Sequence, residues 1–362
     1  MSCSSSSTGP LKDGVVTTKV TRATLLDPAN WTQDLLYDGW MRVFSGIQPS
    51  GAMHIGNYLG AIKQWVKVQG PDSFYCVVDL HALTLQIKPD ELREQTTDYV
   101  ASLLASGLDP DVCTLFVQSH VAVHAQMSWL LECVATYGEL SRMTQFKEKS
   151  SRHEGHRVGL LTYPVLMASD ILLYETAEVP VGDDQRQHLE VTREIATRFN
   201  NRYGETFVIP KAVLPPSGAR VMDLQEPSRK MSKSVSSPLG KILLTDEPAE
   251  IEKKIKKAVT DTDGEVRFDW EQKPGLSNLL EIYSGFSGES PESIAARYER
   301  YGDLKSDLAI LVVESLRAIT ERYHELRRDP AGLDAIVSLG SQKASAVAEP
   351  VYLRAAKAMG LF

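Results

Sequence analysis

Two strings of residues carry the clearest chemistry in this chain. Lys230-Met231-Ser232-Lys233-Ser234, preceded by Arg229, sets two ammonium groups three positions apart with hydroxyls beside them. Glycine and proline punctuate its surroundings, so it reads as a mobile loop whose lysines, each a flexible point charge, can follow polyphosphate charge as it moves. The plainer reading is a solvated basic loop. The second string runs Phe44-Ser45-Gly46-Ile47-Gln48-Pro49-Ser50-Gly51 and then His54-Ile55-Gly56-Asn57. Gly46 and Gly51 allow close backbone approach. His54, Gly56 and Asn57 set an imidazole, an unobstructed backbone and an amide at a helix start, which suits phosphate or another anion. Taken alone, His-x-Gly-Asn reads more simply as a glycine-rich strand-to-helix turn with a capping histidine.

The elements that must hold these strings follow from periodicity. Short apolar runs at 43–47, 74–79 and 115–117 alternate with helical segments at 60–68 and 91–104, which predicts a parallel sheet with helices on both faces, an α/β architecture of Rossmann-like type. Ligands of such sheets bind where the loops gather at the carboxyl ends of the strands. After about Val235 helical patterns take over, at 250–258, 277–283, 290–301 and 305–328, with one more at 341–359, and predict an all-helical C-terminal domain. Residues 1–41 are serine-rich and poor in apolar side chains until Trp31. They read as a flexible extension, although Trp31, Leu35, Leu36 and Trp40 share one side of a possible short helix capped by Asn30. The boundaries expected are thus 1–41, 42–235 and 236–362, the last helix being free to run back onto either domain.

Composition narrows the class. The 362 residues are 43% hydrophobic and 24% charged, ordinary for a globular protein of two or three domains. With 39 basic against 47 acidic residues the net charge is −8, so nucleic acid gripped by bulk positive charge is excluded and any such contact needs local patches. Cys3, Cys76, Cys113 and Cys133 are too dispersed for a Cys-x-x-Cys site, which points to a reduced, cytoplasmic chain. The longest apolar stretch, 160–174, contains Asp170 and falls short of the roughly 20 residues that span a bilayer. The first residues show no secretory or transit signal.

Together the two strings resemble the paired signatures of class I aminoacyl-tRNA synthetases, with Asn57 where the family's first signature has a second histidine. The surroundings are similar to the bacterial-type tryptophanyl-tRNA synthetases in particular. The marks are 44–51, Asp79-Leu80-His81-Ala82, Gly138-Glu139-Leu140 through 143–150, 163–170, 179–185, 251–256 and Met359-Gly360-Leu361. The resemblance covers Arg42 to the C-terminus and leaves the first 41 residues outside.

A tryptophan pocket then follows in physical terms. If Thr162 caps a helix with Pro164 in its first turn, Tyr163, Met167 and Asp170 fall on one face. Met167, with Phe44, suits a large flat ring. An ionised Asp170, buried and otherwise unpaired, would accept from an indole N–H and be left stranded by phenylalanine, which permits large rejection ratios without editing. Without the family, a cap-side tyrosine and a solvent-facing aspartate is the simpler reading. The resemblance implies that Asp170 reads the indole, that Tyr163 and Gln185 hold the α-ammonium, that Val179 and Val181 line the indole site, and that Phe44, Gly46 and His81 lie at the pocket. Core packing of the valines and a structural His81 remain the bland alternatives.

For ATP the resemblance implies a wall of Gln48, Pro49, Ser50, His54, Gly56 and Asn57. It further implies ribose contacts from Gly182, Asp183 and Asp184, an adenine contact at the Val221 backbone, and phosphate contacts from Lys149 and from the loop Lys230, Met231, Ser232, Lys233 and Ser234. Lys149, Lys230 and Lys233 would be the catalytic lysines, and Lys147 a solvated neighbour. No metal cage is expected, so Mg2+ would be held mainly through ATP. The implied partners are tRNA(Trp), L-tryptophan, ATP and a second copy of the chain in a homodimer. Lys253, Lys254, Lys256 and Lys257 form a basic stripe expected to be a solvated face. A tyrosine-specific relative and a tryptophan-binding regulatory paralogue are the competing readings.

Overall fold

The computed structural model describes residues 42–150, 157–180, 185–213, 220–232 and 237–362. The N-terminal extension with Trp31, Leu35, Leu36 and Trp40 lies outside them. Strands β1 (Val43–Ile47), β2 (Ser73–Val77) and β3 (Thr114–Val117) form a parallel sheet in the order β1-β2-β3, in register at Phe44, Phe74 and Thr114. All five residues of β2 are buried, as the central strand of a two-sided sheet requires. Alternate residues serve opposite cores. Tyr75, Val77, Leu115 and Val117 point into one, Phe44, Phe74, Cys76 and Phe116 into the other.

β1 leads into a helical stack made of α1 (Ile55–Asn57), a π turn (Tyr58–Ile62) and α2 (Lys63–Val68). β2 ends at Val77, not Asp79: Asp79 opens α3 (Asp79–Ala82), and its carboxylate accepts from the Ser119 N–H at 2.9 Å. α4 (Pro89–Ala105) carries the chain to β3, and α5 (Val123–Glu132), α6 (Tyr137–Ser141) and α7 (Thr144–Ser150) follow. α8 (Val158–Leu172) and α9 (Arg186–Tyr203) then flank a second, two-stranded parallel sheet, β4 (Glu178–Pro180) with β5 (Lys211–Val213). One expectation fails here. α8 does not start at Thr162 but at Val158, with Arg157 at its N-cap and Pro164 inside. Pro164 is buried inside the helix and lacks the N–H that would bond the preceding turn, so α8 forgoes one backbone bond there.

The C-terminal part consists of α10 (Pro248–Lys256), α11 (Pro274–Ser287), α12 (Pro291–Ala295), α13 (Tyr301–Arg327) and α14 (Pro330–Ala358). The segment expected at 290–301 is split, with Ser290 capping α12 and Arg300 capping the start of α13. α14 is far longer than the periodicity suggested, because Asp329 accepts the Gly332 N–H at 3.0 Å and Pro330 occupies the first turn. It lies along β3 so closely that a Cβ on Gly340 would sit 1.8 Å from the Leu115 carbonyl oxygen, and it covers the strand edge that the sheet leaves open. In this part Leu276, Leu280, Ile294, Ala295 and Leu304 form a small core of their own. Beyond Leu304, the apolar residues Leu308, Ala309, Val312, Leu316 and Ile319 of α13 join the core of the sheet. Lys254 departs from the expected solvated stripe: it is 5% exposed and paired with Asp246.

Glu139 anchors the segment between the second core and α9. It closes a capping box on Thr136, accepting the Thr136 N–H at 2.8 Å, and takes two bonds from Arg198, at 3.1 and 2.7 Å. Burial alone would raise its pKa, but the Arg198 and Thr136 hydrogen bonds outweigh it and hold the carboxyl below its usual range. Glu139→Ala is expected to cost about 2 kcal/mol, a figure discounted because Arg198 is partly in water, read as a thermal midpoint lowered by roughly 3 °C in a chain of 362 residues. Because the folded pKa is depressed, this stability is present above the unfolded carboxylate value and lost as pH falls through the folded one. A midpoint difference that does not shrink on acidification would remove Glu139 from that role.

Candidate active site

The first signature begins at the C-terminal end of β1. A Cβ at Gly46 would meet Val78 Cγ1 at 2.9 Å, so no side chain fits there without displacing Val78. Gly51 has φ of 68°, the left-handed region that glycine enters without penalty, and its N–H donates to Gln95 Oε1 at 3.0 Å. Pro49 is buried, Gln48 and Ser50 are half-buried, and the Gln48 amide donates to the His81 carbonyl at 3.2 Å. His54 is buried and caps α1, and its N–H donates to Asn57 Oδ1 at 3.2 Å, which completes a capping box. This bond explains what Asn57 does at its position: its amide oxygen closes the helix start.

The second signature meets the first in space. Ile55 N–H donates to the Ile242 carbonyl at 2.9 Å and Leu244 N–H to the Met53 carbonyl at 3.0 Å, so the stretch just beyond the lysine loop is bonded to both sides of His54. Met231 N–H donates to the Val221 carbonyl at 3.1 Å, and Asp223 N–H to the Arg229 carbonyl at 2.9 Å. Met231 is 3% exposed, and its Cβ lies 3.6 Å from where a Cβ on Gly56 would be. Val221 is buried, Lys230 exposed and Ser232 half-buried. Asn278 of α11 clamps this segment, its side chain bonded to both the N–H and the carbonyl of Met222 at 2.8 and 2.9 Å. Val181, Gly182, Asp183, Asp184, Lys233 and Ser234 lie outside the described residues, as does the side chain of Lys149, a residue of α7.

The helical spacing along α8 is as expected. Tyr163, Met167 and Asp170 share one side. Met167 packs with Ile171, Val179 and Leu189, and the ring of Tyr163 stands edge-on to His81 at 6.4 Å. The Tyr163 hydroxyl contacts Gln145 Oε1 at 3.0 Å and His188 Nε2 at 2.7 Å. Gln185, half-buried, is the N-cap of α9. Phe44 lies in the core, stacked on Tyr174 at 5.1 Å.

Asp170 differs from expectation in a way that matters. It is 2% exposed, so it does not face solvent, but neither is it unpaired. Its Oδ1 accepts from Gln118 Nε2 at 2.7 Å and from His124 Nδ1 at 2.7 Å, and its Oδ2 meets His81 Nε2 at 2.9 Å. Burial would push its pKa up, yet the hydrogen bonds and charge of His124 and His81 prevail and hold it below the ordinary aspartate value. An ionised acceptor is therefore fixed where α8 meets α3, α5 and the end of β3. Sequence reasoning missed Gln118, His124 and Tyr174. Gln118 was within reach, since it directly follows β3, the position that ligand-binding α/β sheets favour.

Comparison with known proteins sets this site in a family. The family model described as tRNA synthetases class I (W and Y) matches residues 38–317. A tryptophan–tRNA ligase of Caldanaerobacter subterraneus is 52% identical over 323 residues, 88% of this chain and 98% of that protein. The tryptophan–tRNA ligase 2 of Streptomyces avermitilis is 54% identical over 313 residues, 85% of this chain and 93% of that one. Among solved structures, the tryptophanyl-tRNA synthetase of Mycoplasma pneumoniae superposes with a TM-score of 0.80 at 35% identity, covering 89% of this chain and 98% of its own. The Campylobacter jejuni enzyme complexed with ADP and tryptophan gives 0.78 at 35% identity, covering 89% and 100%. The chain belongs to the class I tRNA synthetases of the tryptophan and tyrosine branch.

Proposed function

We infer that this chain is a ligase that activates L-tryptophan with ATP and transfers it to tRNA(Trp) for protein synthesis. The observation that carries the reading is Asp170. A carboxylate held ionised beside Met167, Tyr163 and His81 can accept an indole N–H, and the two signature strings converge on Gly56 and Met231 where ATP would lie. The tryptophan carboxylate attacks the α-phosphorus of ATP, pyrophosphate leaves, and a terminal ribose hydroxyl of tRNA takes the acyl group. The first step asks the protein for no nucleophile. It asks for alignment and for positive charge on the departing pyrophosphate.

We assign that charge to Lys149, Lys230 and Lys233, and assign the ATP wall to Gln48, Pro49, Ser50, His54, Gly56 and Asn57 with Val221, Gly182, Asp183 and Asp184. ATP enters as substrate with its own Mg2+. Among the described residues no group of three or more His, Cys, Asp or Glu is placed to hold a metal. Tyr163 and Gln185 take the α-ammonium, and Val179 and Val181 flank the indole. Residues 42–235 form the catalytic part and 236–362 the anticodon-binding part of a homodimer, with 1–41 an extension. The small core around Leu276 and Ile294 packs by itself within 236–362, whereas Ile251, Leu279, Leu308 and Leu333 share the core of the sheet. A tRNA substrate places the chain in the cytoplasm, which accords with the free thiols of Cys76, Cys113 and Cys133. No helix among the described residues is long and apolar enough to cross a membrane.

The test is ATP–pyrophosphate exchange with each of the twenty amino acids. Only tryptophan should support it at micromolar concentration, and exchange driven by tyrosine instead would transfer the assignment to the sister specificity. A second expectation concerns salt. With a net charge of −8, tRNA contact is confined to small basic patches, so aminoacylation should fall by about tenfold or more between 50 and 200 mM salt while exchange changes far less. Equal sensitivity of the two rates would refute the local-patch account.

A further inference from the structure

The tryptophan reading of the pocket leaves unexplained why Asp170 is surrounded by so many donors. A carboxylate only accepts, so Gln118, His124 and His81 must all donate to it. Gln118 is oriented independently, because its Oε1 accepts the Leu80 N–H at 3.1 Å. His124 is fully buried, and its Nδ1 must carry the proton given to Asp170. Its Nε2 lies 2.9 Å from the Tyr174 hydroxyl, and Tyr174 is held protonated because burial raises its pKa, with Cys76 and Asp170 adding to the rise. The Tyr174 hydroxyl thus braces the Nε2 side of the ring while the Nδ1–H donates to Asp170. The His124 carbonyl in turn accepts the Ser169 hydroxyl at 2.7 Å, which fastens α5 to α8 one residue from the carboxylate.

The two oxygens of Asp170 are consequently unlike. Oδ1 holds two donors, both fully buried, and so has its acceptor capacity filled. Among the described residues Oδ2 has the single donor His81, whose side chain is 13% exposed and borders Tyr163. We propose that His124, braced by Tyr174, is a specificity-determining positioning residue: together with Gln118 it occupies Oδ1, fixes the carboxylate rotamer and leaves Oδ2 as the oxygen that receives the indole N–H. The charged or titratable groups facing Asp170 are His81 from α3, His124 from α5, Cys76 from β2 and Tyr174 after α8. The Cys76 thiol stays neutral, since burial and the nearby Asp170 and Asp79 raise its pKa.

This inference rests on the tryptophan reading, and the experiment separates the two. Wild-type protein, His124→Leu, His124→Asn and Tyr174→Phe are compared in tryptophan-dependent ATP–pyrophosphate exchange. Asn offers an amide N–H near the place of Nδ1, so it should restore most of what Leu loses. Loss of a hydrogen bond to a charged group predicts a KM for tryptophan raised about tenfold to a hundredfold in His124→Leu, with kcat and the KM for ATP within about threefold of wild type. Tyr174→Phe should raise it a few-fold. The pH profile adds a readout that loose packing would not mimic. With His124 gone, burial of Asp170 is less opposed and its pKa rises, so the KM for tryptophan should climb on acidification from a higher pH than in wild type. A wild-type protein inert with tryptophan would overturn the functional reading itself. Active wild type with unchanged tryptophan KM and pH profile in both His124→Leu and Tyr174→Phe would overturn this proposal alone, as would a kcat loss that Asn does not rescue.

Discussion

Asp170→Ala is expected to lower kcat/KM for tryptophan by about a hundredfold to a thousandfold while leaving that for phenylalanine nearly unchanged, so that the selectivity ratio collapses. The size follows from the site. A pocket built to bond an N–H rejects an analogue that lacks it because the acceptor is then left buried without its partner. Asp170 is 2% exposed and ionised, and phenylalanine would leave its Oδ2 buried with His81 as the one donor found among the described residues. The alanine variant also strands the donors of Gln118, His81 and His124, at a cost to stability of about 3–5 kcal/mol typical of removing one partner of a buried charged set. Asp170→Asn is the companion variant. It preserves volume but turns one acceptor into a donor, so selectivity should fall with less damage to the thermal midpoint. Competitive exchange with tryptophan and phenylalanine reads the ratio. If it stays at the wild-type value in both variants, the carboxylate does not read the indole.

Lys233→Ala is expected to cut tryptophan-dependent exchange about a thousandfold while tryptophan binding, followed by equilibrium dialysis, persists. A reaction without a protein nucleophile depends on charge supplied to the leaving group, and one preorganised cation accounts for a loss of this order. What the fold contributes is the anchor. Met231 is buried against Gly56 and bonded to Val221, so the loop's first half is held on the first signature, with Lys230 just before the anchor and Lys233 two residues after it. Lys230→Ala should share the phenotype in weaker form. Unchanged exchange in Lys233→Ala would end the catalytic assignment of the loop, and loss of tryptophan binding would make the lysine a structural residue instead.

Much of this site was legible in the chain itself. The two signature strings are contiguous, and the face of α8 that joins Tyr163, Met167 and Asp170 follows from helical spacing whichever residue caps the helix. The error over Thr162 therefore left the face unchanged. The parallel sheet was readable because β1, β2 and β3 are short apolar runs between helices. The true start of α14 was signalled by Asp329-Pro330, a cap and first-turn pair that periodicity from Ser341 onward overlooked.

The sequence by itself determined which functional groups are present, which neighbours share a helix face and which glycines permit a turn, since these depend on local geometry. Only the tertiary structure decided the state of Asp170. Gln118 and His124 come to it across 52 and 46 residues, carried by the end of β3 and by α5 packing on α8. Whether a buried carboxylate is stranded, neutral or a fixed acceptor depends on the donors that surround it in space, and spacing along the chain does not encode them. The same holds for α14, whose Gly340 is an ordinary helix residue until β3 presents its open edge to it.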